Sequence, residues 1–164
     1  MDKLFVDRFA AGRTLVEEIR KLYLNKPVVL AIPRGGIKTG RAIADELHLP
    51  LDIILCKKVG HPENPELAVG SVCADGTTIQ TMDVHTADPD YFEHQAARLR
   101  TWLLGRYQQL TGRETPMDVS GREVILNDDG MATGSTMLAA IRSIRTAGAG
   151  KVVVAVPAAD QYPT

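Results

Sequence analysis

Short unbroken apolar runs alternate along this chain with stretches whose apolar residues recur every three or four positions. Val28-Val29-Leu30-Ala31-Ile32 has no polar interruption, the pattern of a strand buried on both faces. Leu51 to Cys56, Leu67 to Cys73, Glu123 to Asn127 and Val152 to Val156 read as strands too, and the Asp75-Gly76 step predicts a hairpin into Thr77 to Gln80. Between them lie helical periods. Asp7 is placed to cap a helix with Leu15, Val16, Ile19, Leu22 and Tyr23 on one face. A second helix, about Ile37 to Leu47, turns Gly40, Ile43, Ala44 and Leu47 inward. Asp88 at the cap, Pro89 at the first turn and Asp90 after it announce a long helix with the stripe Phe92, Ala96, Leu99, Leu103, Tyr107 and Leu110, stopped by Gly112. A last helix, about Thr133 to Ala147, is closed by Gly148. Buried strands alternating with helices predict an α/β fold built on a mostly parallel, doubly wound sheet. The long helix breaks the rhythm, which predicts a small helical cap inserted at about 77–115 within one domain spanning 1–164.

Composition narrows the class without changing it. At 164 residues the chain has the length of about one domain and enough to build its own core. Nineteen Lys and Arg against twenty Asp and Glu leave a net charge of −1. That balance argues against a nucleic-acid protein working by bulk charge, though not against local basic patches. The 45% hydrophobic and 24% charged fractions suit a globular domain. Aromatics make up only 5%, so few rings are available to stack on a flat ligand. Cys56 and Cys73 fit neither a disulfide framework nor a metal cluster, and in apolar runs they read as small hydrophobes. The N-terminal residues lack the pattern of a signal peptide, and the apolar runs fall far short of the ~20 residues that span a bilayer. The expectation is a reduced, soluble, cytoplasmic protein with neither nucleic acid nor membrane as partner.

In open sheets of this kind ligands bind beyond the carboxyl ends of the strands. One such end is rich in chemistry: Val124-Ile125-Leu126-Asn127-Asp128-Asp129-Gly130-Met131-Ala132-Thr133-Gly134-Ser135-Thr136. A buried strand delivers two adjacent carboxylates, and a loop of small and hydroxylated residues then opens into an amphipathic helix. Small residues let the backbone approach a ligand, the first helical N–H groups point toward it, and Thr133, Ser135 and Thr136 add hydroxyls. The loop therefore suits a phosphate monoester. Asp128 and Asp129 suit vicinal sugar hydroxyls or a divalent cation. Plainer readings stand beside these: Thr133 as a simple N-cap, and the two Asp as a solvated turn. The segment lacks the Lys of a P-loop.

Val124 to Thr136 resembles the phosphoribosyl-pyrophosphate (PRPP) signature of the type I phosphoribosyltransferases: four apolar residues, two acids, a spacer, Thr-Gly and a closing hydroxyl residue. Asn127 departs from it, standing where an apolar residue is usual. Two other segments match in order. Ala31-Ile32-Pro33-Arg34-Gly35-Gly36 resembles the family's pyrophosphate-binding loop, with glycines that let N–H groups converge on an anion and an Arg for charge. Lys57-Lys58-Val59-Gly60, then His61-Pro62-Glu63 and Asn64-Pro65-Glu66-Leu67-Ala68, is similar to the lid region of a subgroup whose base specificity is unknown. Surface roles remain open for Arg34, Lys57 and Lys58.

The resemblance implies displacement of pyrophosphate from C1 of PRPP by a nitrogenous base or related nucleophile. Arg34, Lys57, Lys58, Asp128 and Asp129 become the catalytic candidates. Arg34, Gly35, Gly36, Asp128, Asp129, Gly130, Met131, Ala132, Thr133, Gly134, Ser135 and Thr136 become the PRPP-binding set. Mg²⁺ is the implied cofactor, held mainly through PRPP, with no direct ligand assigned and direct contact left open for Asp128 and Asp129. No general base is evident. Relatives acting on 6-oxopurines carry Asp just before the Thr-Gly, and this chain has Ala132, which speaks against hypoxanthine or guanine. His61 and His94 are of the residue type that most often moves protons in catalysis, His61 in the lid region being the better candidate, but both read first as surface residues. Tyr91, Phe92, Trp102 and Tyr107 are available to roof a base, and at helical spacing read first as core. Two alternatives stand beside the enzyme: a regulatory module that binds PRPP or a nucleotide without turnover, and another phosphosugar-binding α/β enzyme. Only eight residues follow Val156, whereas members of the resembling subgroup continue with a helix, a strand and an aromatic-bearing tail. The expectation is an exposed sheet edge completed by a partner subunit, as in a homodimer, or a shortened chain with impaired turnover.

Overall fold

A computed structural model describes residues 8–130 and 135–157. Asp7, proposed above as a helix cap, lies outside the described residues, as do Met131, Ala132, Thr133 and Gly134. The chain divides into two compact units, one made of residues 1–54 and 117–164 and the other of Leu55–Pro116.

The first unit is built on four parallel strands: β1 (Val28–Ala31), β2 (Leu51–Ile53), β6 (Val124–Asn127) and β7 (Val152–Ala155), in the order β2-β1-β6-β7. Its helices are α1 (Arg8–Arg20), α2 (Gly35–Leu47) and α4 (Ser135–Thr146). Alternate strand residues point to opposite faces. Val28, Leu30, Ile32, Val124 and Leu126 bury against Met137, Ala140 and Ile144 of α4. Val29, Ile125 and Ala155 bury against Val16 and Ile19 of α1 and Ile43 and Ala44 of α2. This two-sided burial explains the unbroken apolar runs, since neither face of β1 or β6 meets water. Helices cover both faces, so the parallel α/β sheet expected from the runs is present.

The second unit holds β3 (Cys56–Gly60), β4 (Ala68–Cys73) and β5 (Thr78–Gln80) as an antiparallel sheet, with α3 (Tyr91–Thr111) packed on β3 and β4. Gly70 makes room for that helix: a Cβ there would lie 2.5 Å from Phe92 Cε2. The stretch 77–115 expected as an insert lies within this unit, which begins at Leu55.

Several expectations need correction. Leu51 to Cys56 is not one strand: β2 ends at Ile53, and Cys56 opens β3 in the other sheet. The run ending at Cys73 pairs antiparallel with β3 and β5 and has no place in the parallel sheet. An apolar run reports burial, and α3 buries β4 as effectively as a second layer of the parallel sheet would. Leu22 and Tyr23 lie past the end of α1; Tyr23 has φ 49° and is 91% exposed. The cap of α3 is Asp90 rather than Asp88, whose carboxylate accepts from the Asp90 N–H in the preceding turn. Finally, Cys56 and Cys73 are not free hydrophobes. They face each other across β3 and β4, and a disulfide joins them. Their separation of 17 residues carries no sign of that pairing, because strand register decides it.

Candidate functional site

Parallel pairing of β1 with β6, with Ala31 opposite Asn127, ends both strands at the same edge of the sheet. The loop from β1 then leads straight into α2 at Gly35, and the loop from β6 leads into α4 at Ser135. Two helix N-termini, each carrying the positive end of its peptide dipoles, therefore follow neighbouring strand ends. The arrangement suits an anion.

The two loops are in contact. Ile32 donates its N–H to the carbonyl of Asn127 at 2.9 Å, continuing the ladder one residue past the strand. Asn127 Nδ2 donates to the carbonyl of Gly36 at 3.0 Å. A Cβ on Gly36 would lie 2.9 Å from the Asn127 carbonyl oxygen, and one on Gly35 would collide with the Asp129 carboxylate. Gly36 is thus required by close approach of main chain to main chain, whereas a side chain at Gly35 would displace the Asp129 carboxylate. Arg34 stands exposed at the cap position of α2, after a cis Pro33–Arg34 peptide. Arg34, Gly35, Gly36, Asp128, Asp129 and Gly130 are therefore neighbours along one strand-end edge.

Asp128 and Asp129 are both half-buried. Asp129 donates its backbone N–H to Asp128 Oδ1 at 2.8 Å. Burial pushes the Asp128 carboxyl up to about 6; the side chain of Asp129 and its charge add to the rise, and the Asp129 N–H opposes it. Asp128 thus changes charge close to neutral pH. No group of three or more His, Cys, Asp or Glu among the described residues is arranged to hold a metal ion. The acidic pair offers part of a coordination shell and needs a ligand's oxygens to complete it. Met131, Ala132, Thr133 and Gly134, four members of the PRPP-binding set, lie outside the described residues. Thr136 is exposed on the first turn of α4, which begins at Ser135.

Lys57 and Lys58 belong to the second unit, on β3. Lys57 Nζ sits 4.3 Å from the ring centre of Trp102, whose ring is half exposed. Lys58 Nζ donates to the Glu66 carbonyl at 3.2 Å and lies 3.4 Å from its carboxylate. His61 Nδ1 accepts the Glu63 N–H at 3.1 Å. His94 Nδ1 pairs with Asp88 at 2.8 Å, which raises the imidazole and lowers the carboxyl. Of the four rings on this unit, Phe92 and Tyr107 are core and Tyr91 donates its hydroxyl to the Gly60 carbonyl.

Two buried polar residues do more than their sequence context announces, one at the site and one in the sheet that supports it. Asn127 is fully buried among apolar neighbours, and its type is the sole signal: an amide in a buried strand needs a reason. Asp52, also buried, accepts the N–H of Met117 on Oδ2 at 2.8 Å and the N–H of Ile53 on Oδ1 at 2.8 Å. It pins the returning chain to β2. An Asp inside an apolar strand was the available clue.

The family model of the phosphoribosyl transferase domain matches residues 6–162. A protein of Mycobacterium tuberculosis (strain CDC 1551 / Oshkosh) named "Putative phosphoribosyl transferase MT0597" is 36% identical over 158 residues, covering 94% of this chain and 36% of that protein. The chain thus spans about a third of the length of the curated relatives it matches. The crystal structure of the protein TT1426 from Thermus thermophilus superposes with a TM-score of 0.79 at 42% identity, over 94% of this chain and 75% of that one. A purine phosphoribosyltransferase from Pyrococcus horikoshii Ot3 shares the fold, with a TM-score of 0.55 at 19% identity over 100% of this chain and 82% of its own. By sequence and fold, this chain belongs to the phosphoribosyl transferase domain family.

Proposed function

We propose that the chain binds PRPP at the edge where β1 and β6 end, and transfers its phosphoribosyl group to a nitrogenous base or related nucleophile. The observation that carries this reading is the contact between the Gly35-Gly36 loop and the Asp128-Asp129 strand end. That contact sets an anion-binding loop directly beside two carboxylates, as a sugar bearing a diphosphate requires.

In the proposed reaction the nucleophile's lone pair forms a bond to C1 of the ribose. The C1–O bond to the diphosphate breaks with its electron pair, and pyrophosphate leaves. Positive charge develops on the ribose as negative charge develops on the leaving group, so catalysis rests on positioning and electrostatics. Arg34 and the backbone N–H groups of Gly35 and Gly36 receive the diphosphate. Asp128 and Asp129 accept hydrogen bonds from the ribose hydroxyls and stabilise the positive charge. The N-terminus of α4 and its preceding loop anchor the 5′-phosphate. When bound with PRPP, Mg²⁺ supplies neutralisation of the diphosphate, and the two Asp are the carboxylates available to it. Roles for Lys57 and Lys58 at the leaving group rest on sequence resemblance alone. Ala132 in place of Asp leaves the nucleophile's proton without an assigned acceptor and argues for a base other than a 6-oxopurine.

Isothermal titration with PRPP and Mg²⁺, followed by an assay of pyrophosphate release over a panel of bases, tests this reading. PRPP should bind, and Asp128→Asn with Asp129→Asn should weaken it by at least about a hundredfold, as loss of two charged hydrogen-bond acceptors would, with the fold intact by circular dichroism. Absence of PRPP binding would overturn the assignment. Binding without pyrophosphate release on any base would turn the reading to a regulatory module.

A further inference from the structure

Asn127 does not fit the apolar pattern of its strand, and its environment gives it a specific job. It is fully buried at the end of β6, opposite Ala31 of β1 and Ala155 of β7. Its side chain reaches the Gly35-Gly36 loop by the Nδ2 bond to the Gly36 carbonyl, while its main chain holds the other end of that loop through Ile32. The same residue is bonded directly to Asp128. Oδ1 points toward α2, where a Cβ on Gly40 would lie 2.5 Å from it, and has no hydrogen-bond partner among the described residues. Burying an unpaired amide oxygen costs stability. An apolar side chain of similar shape would avoid that cost and satisfy the strand pattern. The amide's compensating feature is the single bond it makes to the first turn of α2.

We infer that Asn127 is a positioning residue that clamps the anion-binding loop of β1–α2 at a set distance from the Asp128-Asp129 carboxylates. The inference rests on the PRPP reading above. A diphosphate on the Gly35-Gly36 loop and a ribose on the two Asp must be gripped at once by groups on different strands. Because Asn127 joins the two strand ends, its amide governs the diphosphate half of the site and leaves the sugar-phosphate half untouched.

The test compares three ligands on the full chain with Mg²⁺: PRPP, inorganic pyrophosphate and ribose 5-phosphate, titrated against wild type and Asn127→Leu. The variant should weaken PRPP and pyrophosphate about tenfold, the size of one hydrogen bond, and hold ribose 5-phosphate within twofold. Its melting temperature should match or exceed that of wild type, because the orphaned Oδ1 is gone. Equal affinities for pyrophosphate in the two proteins would overturn the inference, and so would a parallel loss of ribose 5-phosphate, which would mark Asn127 as merely structural. If wild type binds none of the three ligands, the PRPP reading itself fails and the clamp falls with it. Should Asn127→Leu not fold, Asn127→Asp keeps the shape and removes the donor, and the same selective loss is expected.

Discussion

Asp128 is where the chemistry of single residues meets the cost of placing them. Its carboxyl titrates near 6 because the strand end on which it sits is half out of water. The unfolded chain ionises it near 3.8, so the folded state holds the proton more tightly between these values. Folding stability therefore falls as pH rises from about 4 to about 6, and the penalty is fully present above that. Ligand binding should run the other way, since only the ionised form can accept from two hydroxyls. We expect PRPP affinity to drop as pH is lowered through about 6, read by titration calorimetry on either side of that value. Asp128→Asn alone should keep or raise the melting temperature at neutral pH while losing PRPP. A lowered melting temperature would show that the carboxylate stabilises the fold. The adjacent acids were legible in the sequence as a motif. The raised titration was not, because its largest cause is burial, and how deeply the strand end is buried is decided by packing.

At the level of elements, the second unit is where pattern alone fell short. Its helix was readable from Phe92 to Tyr107, and its end from Gly112, which takes φ 70°. Its sheet was not, because short apolar runs look the same in either kind of sheet. The register that sets Cys56 against Cys73 belongs to a pairing between strands, and neither strand encodes its partner's position. Cross-linking a loop of this size limits the unfolded chain, which should stabilise this unit by about 2–4 kcal/mol. Cys73→Ala should lower the urea midpoint of the unit accordingly, followed by Trp102 fluorescence. A midpoint unchanged from wild type, in oxidising and reducing buffer alike, would show that the bond contributes nothing.

Across the whole chain, the first unit is assembled from two distant segments. Val28 to Ala31 pair with Val124 to Asn127, so the central strand β1 is completed only after the second unit has been made. The face carrying Val28 and Leu30 of β1, with Ile32 just past its end, likewise has its cover on α4. A fragment of residues 1–116 should therefore lack a cooperative parallel sheet, leaving β1 amides unprotected in hydrogen exchange, while the intact chain protects them strongly. Protected β1 amides in the fragment would refute this dependence. The elements and the chemical vocabulary were local matters. Buried runs at 28–32 and 123–127, helical periods between them, a Gly-Gly loop and paired acids are all local patterns, set by side-chain period and turn chemistry. Folding in three dimensions set which strands share a sheet, that Cys56 meets Cys73, that Asp128 is buried enough for its carboxyl to rise to about 6, and that Asn127 links the two loops. Each of those depends on contacts between residues brought together from different elements, and their pairing is settled by packing rather than by any local preference.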